Sequence, residues 1–225
     1  MPRKILFLCL LAVLLLAGCA SSRLNISYNA SEGQITALDR PVTGTIIPLA
    51  DTRENTRAYP KEVIAHTDYS GNVTYEINDK TVEEVFDDAL AAELSRMGVR
   101  LVKVSGIDGP LDRETASEIA KKLRAEYPDV QVAFGGRIKD FMAKSQRTLI
   151  ANDVHVTGWM QFYVLDVKTG NLLWSDYNTQ WDEKLGTYDR DKMIERLNDA
   201  LASLIHKSVR DNMSLRDLLV KISQR

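Results

Sequence analysis

Residue types that could do chemistry are few and scattered. The histidines are His66, His155 and His206. No two stand at the spacing of a metal-ligand pair, and no His-Glu-x-x-His run exists. No Gly-x-Ser-x-Gly elbow offers a serine nucleophile. Phe134-Gly135-Gly136-Arg137 lacks a dinucleotide fingerprint, and its glycines sit inside a strand pattern; it reads as a bulge or a close backbone approach. Asp189-Arg190-Asp191 lacks the remaining ligands of a calcium loop and reads as helix capping. Glu83-Glu84 and Asp87-Asp88 read as the solvated face of a helix start. Asp51-Thr52-Arg53, after the first strand, is the main polar cluster. It reads either as a recognition site at a strand end or as an Asx turn closed by a local ion pair. This inventory points to a non-enzyme, with no metal and no cofactor.

The one residue set up for defined chemistry is Cys19. Arg3 and Lys4 precede an unbroken apolar run from Ile5 to Leu16, which ends in Leu16-Ala17-Gly18-Cys19. The run is shorter than the roughly 20 residues a spanning helix needs and matches a signal-peptide h-region. Its end resembles the bacterial lipobox. That resemblance implies cleavage before Cys19, thioether attachment of a diacylglyceryl group to its sulfur, and acylation, such as by palmitate, of the new amino group. Ala20 follows, not Asp, which by the same resemblance points to the periplasmic face of the outer membrane. Cys9 leaves with the signal, so the mature chain has no free thiol and no disulfide.

Removal of residues 1–18 from the 225 leaves 207, enough for one domain with its own core. Arg3 and Lys4 leave too, so 27 basic residues face 31 acidic ones and the formal charge is −4. Such a chain has no electrostatic footprint for nucleic acid. Residues 19–40 read as the lipidated Cys and a flexible tether with room for one short extended piece, and 41–225 as a single domain.

The domain's elements follow from periodicity. Gly44 to Arg53 reads as a strand, bulged or at an edge because of Pro48. Residues 54–77 read as an insert built on a hairpin around Tyr69-Ser70-Gly71-Asn72. Val82, Val85, Phe86, Ala89, Leu90, Leu94 and Met97 make one helical stripe, opened by a Thr81/Glu84 capping box and closed by Gly98. A strand over Val99–Val104 and a helix over Arg113–Tyr127 follow. Next come a strand from Val130 to Ile138 and a polar loop near Asn152-Asp153. A strand over Val154–Val167 and a hairpin turn at Lys168-Thr169-Gly170-Asn171 lead to a long helix over Asp191–Asp211. The chain ends in a short helix over Leu215–Ile222, started by Ser214. The early β-α-β-α-β order implies parallel pairing and the later hairpin antiparallel pairing. The fold class is therefore a mixed-sheet α/β or α+β domain with about three packed helices. On the strand from Val154, the face with Val156, Met160, Phe162 and Val164 reads as core. The other face, His155, Thr157, Trp159, Gln161 and Tyr163, reads either as a half-exposed interface or as a surface covered by a helix.

Several of these features recur in order: the lipobox, Asp51-x-Arg53, Asn78-Asp79 before a helix, Ala89 to Val99 (A-L-x-x-E-L-x-x-x-G-V), a late hairpin and a terminal helix. Together they resemble the YajG-like bacterial lipoproteins. The architecture is also similar to curli-secretion-type lipoproteins and to the N-terminal domain of TolB-like proteins. The resemblance implies a small outer-membrane lipoprotein of the cell envelope and supplies no catalytic residue. The expected function is a lipid-anchored, non-enzymatic periplasmic binding or assembly module, and the alternative is an accessory, oligomeric subunit of an envelope transport or secretion complex. Beyond the membrane held through Cys19, the expected partner is an envelope protein, with Asp51, Arg53, Trp159 and Tyr163 as the candidate surface. An envelope hydrolase, the third reading, would require a deep polar pocket with converging carboxylates.

Overall fold

The computed structural model describes residues 22–30, 35–54, 63–67, 73–107, 109–147, 152–185 and 190–225. Cys19, the leader and the hairpin turn at 69–72 lie outside them. Among the described residues, one mixed nine-stranded sheet carries four α-helices. The strands are β1 (Ser22–Leu24), β2 (Val42–Ile46), β3 (Ala50–Asp51), β4 (Val63–Thr67), β5 (Val73–Ile77), β6 (Val99–Leu101), β7 (Val132–Arg147), β8 (Asn152–Asp166) and β9 (Leu172–Leu185). The helices are α1 (Val82–Met97), α2 (Ala116–Glu126), α3 (Arg190–Ile205) and α4 (Met213–Ser223).

β7 is the spine. Along one edge it takes β2, then β3, then β4, each parallel to it. Along the other it pairs antiparallel with β8 over nearly its whole length, and β8 pairs with β9. The expected first strand is thus two short strands broken around Pro48, which cannot donate to a ladder. The mixed pairing is as its sequence order implies.

Side-chain parity along β7 reverses at a bulge between Ile138 and Asp140. One extra residue moves every later side chain to the other face. Phe134 and Ile138 face one layer of helices; after the bulge Phe141, Ala143 and Ser145 do so. This is why the regular alternation from Val130 stops at Ile138 although the strand runs to Arg147. A Cβ on Gly136 would stand 2.0 Å from the Gln161 carbonyl oxygen, and one on Gly135 2.8 Å from the Leu111 Cβ, so close backbone approach accounts for the glycine pair without any ligand.

α1, α3 and α4 cover one face of the sheet and form the main core with Phe86, Phe134, Phe141 and Phe162. Phe86 of α1 meets Phe141 edge-on at 5.2 Å. α1 starts with the Thr81/Glu84 capping box and ends at Gly98 with φ 99°, a left-handed position that glycine adopts without strain. α2 covers only the end of the opposite face where β7 begins, packing Ile119, Ala120 and Leu123 on Ala133, Tyr163 and Leu165.

Several boundaries differ from expectation. Within the stretch read as a tether, Ser22–Leu24 adds a parallel strand beside β5, and Leu24 and Ile26 are buried; Leu24, Ile26 and Tyr28 alternate with the period of an edge strand. β6 stops at Leu101, and Asn152-Asp153 begins β8 where a loop was expected. Asp112 and Thr115 fold residues 113–115 into a turn before α2. The long C-terminal helix passes at His206 into a π-helical turn, His206–Arg210, and Asn212, not Ser214, caps α4 through the Leu215 N–H.

Candidate functional site

Among the described residues, nothing covers the sheet face opposite α1 and α3 beyond α2. Register places Asp140, Met142, Lys144 and Gln146 of β7 beside Trp159, Thr157, His155 and Asp153 of β8, and these beside Asn178, Gln180, Asp182 and Lys184 of β9. A groove of about 520 Å³ opens here, lined by Thr52, Arg53, Glu54, Val63, Lys139, Asp140, Met142 and Trp159. Trp159 is 43% exposed, and its indole N–H reaches the Asp176 carboxylate at 3.3 Å. That bond holds the ring by its edge and leaves its body toward solvent, an arrangement suited to contact with a partner. His155 is hydrogen-bonded to Asp182 on the same face, so this histidine belongs to an exposed polar ladder.

The structure separates the four residues of the candidate surface. Trp159 is exposed, but Tyr163 is 6% exposed. α2 covers it, and its ring stacks on Trp174 at 6.3 Å, with the Arg113 guanidinium 4.1 Å over the other aromatic. The two residues share a strand face, but α2 reaches only one of them, so both sequence readings apply, each to one end. Tyr163 is therefore not part of an accessible surface.

Asp51 and Arg53 realise the Asx turn and ion pair, one of the two readings of the sequence. Their side chains are 6% and 7% exposed and face each other. Arg53 Nε donates to Asp51 Oδ1 at 2.9 Å and Nη2 to Oδ2 at 2.7 Å, while the Arg53 backbone N–H closes an Asx turn on Oδ1 at 3.0 Å. Nη1 donates to the Phe141 carbonyl at 3.0 Å, and the Thr52 N–H to the Ile138 carbonyl at 2.9 Å. The unit therefore grips β7 on both sides of its bulge. It sets the parity that brings Asp140 beside Trp159, and so acts on the groove through the backbone. Its rims also line a second open groove of about 370 Å³ with Glu76, Lys80 and Glu83.

Asp87 of α1 departs from the solvated face expected of it. Asp87 accepts the Leu49 N–H at 3.1 Å, and burial, reinforced by the negative charges of Asp88, Glu83 and Glu84, pushes its carboxyl up to about 7. A raised carboxyl penalises folding once the unfolded chain has ionised, so the penalty grows from about pH 4 to about pH 7. Asp87→Asn keeps the acceptor for Leu49 and removes the charge. Its stability gain over the wild type, read from urea unfolding, is expected to be about 2 kcal/mol larger at about pH 8 than at about pH 5.

Glu93 is fully buried. It accepts from Tyr28 at 2.9 Å, from Arg96 at 3.1 Å and from Arg210 Nε at 2.8 Å. Burial pushes its carboxyl up, but the hydrogen bonds from Arg210 and Tyr28 outweigh it and hold it below the usual range. The hub joins the N-terminal segment, α1 and the π-helical turn. It passed unnoticed in the sequence, although Glu93 lies on the apolar stripe, four residues after Ala89 and three after Leu90.

No group of His, Cys, Asp and Glu able to hold a metal ion occurs among the described residues, and none of their helices is long and apolar enough to cross a membrane. No family model matches the sequence, and none of the curated proteins does. Solved structures are similar in shape at low identity. A Xanthomonas campestris protein of the DUF330 family aligns at 6% identity over 89% of this chain and 97% of that one, with a TM-score of 0.49. A putative neuraminyllactose-binding hemagglutinin homolog from Helicobacter pylori aligns at 13% over 90% and 98%, with a TM-score of 0.45. Lipoprotein GNA1162 from Neisseria meningitidis aligns at 14% over 75% and 100%, with a TM-score of 0.36.

Proposed function

We propose that the chain is a lipid-anchored, non-enzymatic binding or assembly module at the periplasmic face of the bacterial outer membrane, in the manner of the YajG-like lipoproteins it resembles. The observation that carries this reading is the ordered leader, Arg3-Lys4, the apolar run and Leu16-Ala17-Gly18-Cys19, followed by Ala20. The bare sheet face supports the binding role. It offers Trp159 and Met142 among hydrogen-bonding groups of both kinds, the composition of a transient protein interface. The outer edge of β9, which among the described residues pairs with β8 alone, favours the second reading, an accessory subunit of an envelope transport or secretion complex.

Both readings place the partner on the Trp159 groove. Cross-linking in intact envelopes is expected to trap an envelope protein with the wild type and to lose it with Trp159→Ala. Because the ring is already part-exposed, that variant is expected to lose about 1 kcal/mol of stability at most. A Trp159→Ala protein that folds and retains its partner contradicts the assignment of the groove.

A further inference from the structure

One rung of residues crosses the sheet: Ser22 pairs with Tyr75, Tyr75 with Ala65, Ala65 with Ala143, Ala143 with Val156, and Val156 with Trp181. Strand directions follow from the same pairings. β1 runs parallel to β5, opposite to β4 and hence opposite to β7. The N-terminal end of β1 at Ser22 therefore faces the end of the sheet where β7 finishes at Arg147, β8 begins at Asn152 and β9 finishes at Leu185. Cys19 is three residues from Ser22, a reach of about 10 Å at most.

From this geometry we propose that the domain stands end-on against the bilayer, with the Arg147–Asn152–Leu185 end of the sheet on the phospholipid headgroups. The proposal rests on lipidation of Cys19. A leash of three residues cannot let the opposite pole descend while this end rises. The turn after β8, at Lys168, lies twelve residues beyond the rung, about 40 Å along the strand. Standing on its end, the domain holds the Trp159 groove upright beside the membrane and carries α2 and the Arg113–Trp174 stack away from it.

The mature chain has no free thiol, so introduced cysteines are unique labels. Full-length protein carrying Lys184→Cys, Asn178→Cys or Lys168→Cys would be purified from envelopes, its Cys19 acylation read by mass spectrometry, and each new thiol labelled with bimane. The labelled proteins would then be reconstituted in vesicles of phosphatidylethanolamine and phosphatidylglycerol bearing headgroup nitroxides. The expected result is a large loss of emission at Lys184→Cys, a smaller loss at Asn178→Cys and none at Lys168→Cys. Equal loss at all three sites, or the reverse order, in acylated protein overturns the orientation alone. A Cys19 without acyl chains overturns the anchoring and the orientation together.

Discussion

Glu93→Ala is expected to lower the stability of the domain by about 3–5 kcal/mol, the cost of removing one partner from a buried charged pair. The carboxylate is wholly buried, and Arg210, itself only 14% exposed, loses its counter-charge. Tyr28 loses its acceptor at the same time, which unfastens the segment after β1 from α1. Glu93→Gln retains an acceptor without the charge and is expected to lose less. The pH dependence has a defined sign. A carboxyl held below its unfolded value contributes stability at pH above about 4.3, and that contribution is lost as pH falls through its folded value. Asp112, paired with Arg137, and Asp166, paired with Arg225, are shifted in the same direction and add to the acid sensitivity. Urea unfolding checks the magnitude, and limited proteolysis within residues 22–30 checks the release. A Glu93→Ala protein as stable as the wild type, with an equally resistant N-terminal segment, contradicts the hub.

Arg53→Met is the second large effect. It strands the Asp51 carboxylate, 6% exposed, and removes the bond to the Phe141 carbonyl. About 3–5 kcal/mol of destabilisation is expected. The double variant Asp51→Asn/Arg53→Met, which leaves no buried charge, is expected to recover a large part of it. Because the unit grips β7 on both sides of the bulge, its loss is expected to show first in local exchange. The Thr52 amide, bonded to the Ile138 carbonyl, is expected to lose hydrogen-exchange protection before the amides between Phe134 and Val164 do. Trp159 emission should shift with it, since the bulge sets the residues beside that ring. Unchanged protection at Thr52 in the single variant contradicts a clamp on the bulge.

Elements whose pattern is local were legible. The stripe and caps of α1 lie within eighteen consecutive residues, and the left-handed Gly170 turn joins two runs of strand. The core face of β8 was readable because its partner layer is apolar throughout. What escaped depends on long-range register. No local pattern announces the bulge at Lys139, which appears only when β7 is laid against β8 and β3. The same holds for Glu93, whose partners Tyr28 and Arg210 are 65 and 117 residues away. Tyr163 and Trp159 look alike along the strand; only the length of α2 decides which is covered. Asp51 and Arg53 carried both of their readings in the sequence, and the ion pair with its Asx turn is the one the fold realises.

The proposed function requires that lipid on Cys19 hold this domain to a membrane. The most direct test is the intact mass of the mature protein isolated from envelopes, with fragmentation of its N-terminal peptide. The expected result is a chain that begins at Cys19, with a diacylglyceryl thioether on its sulfur and an acyl group on its amine. A mature N-terminus elsewhere, or a Cys19 with a free thiol, would contradict it.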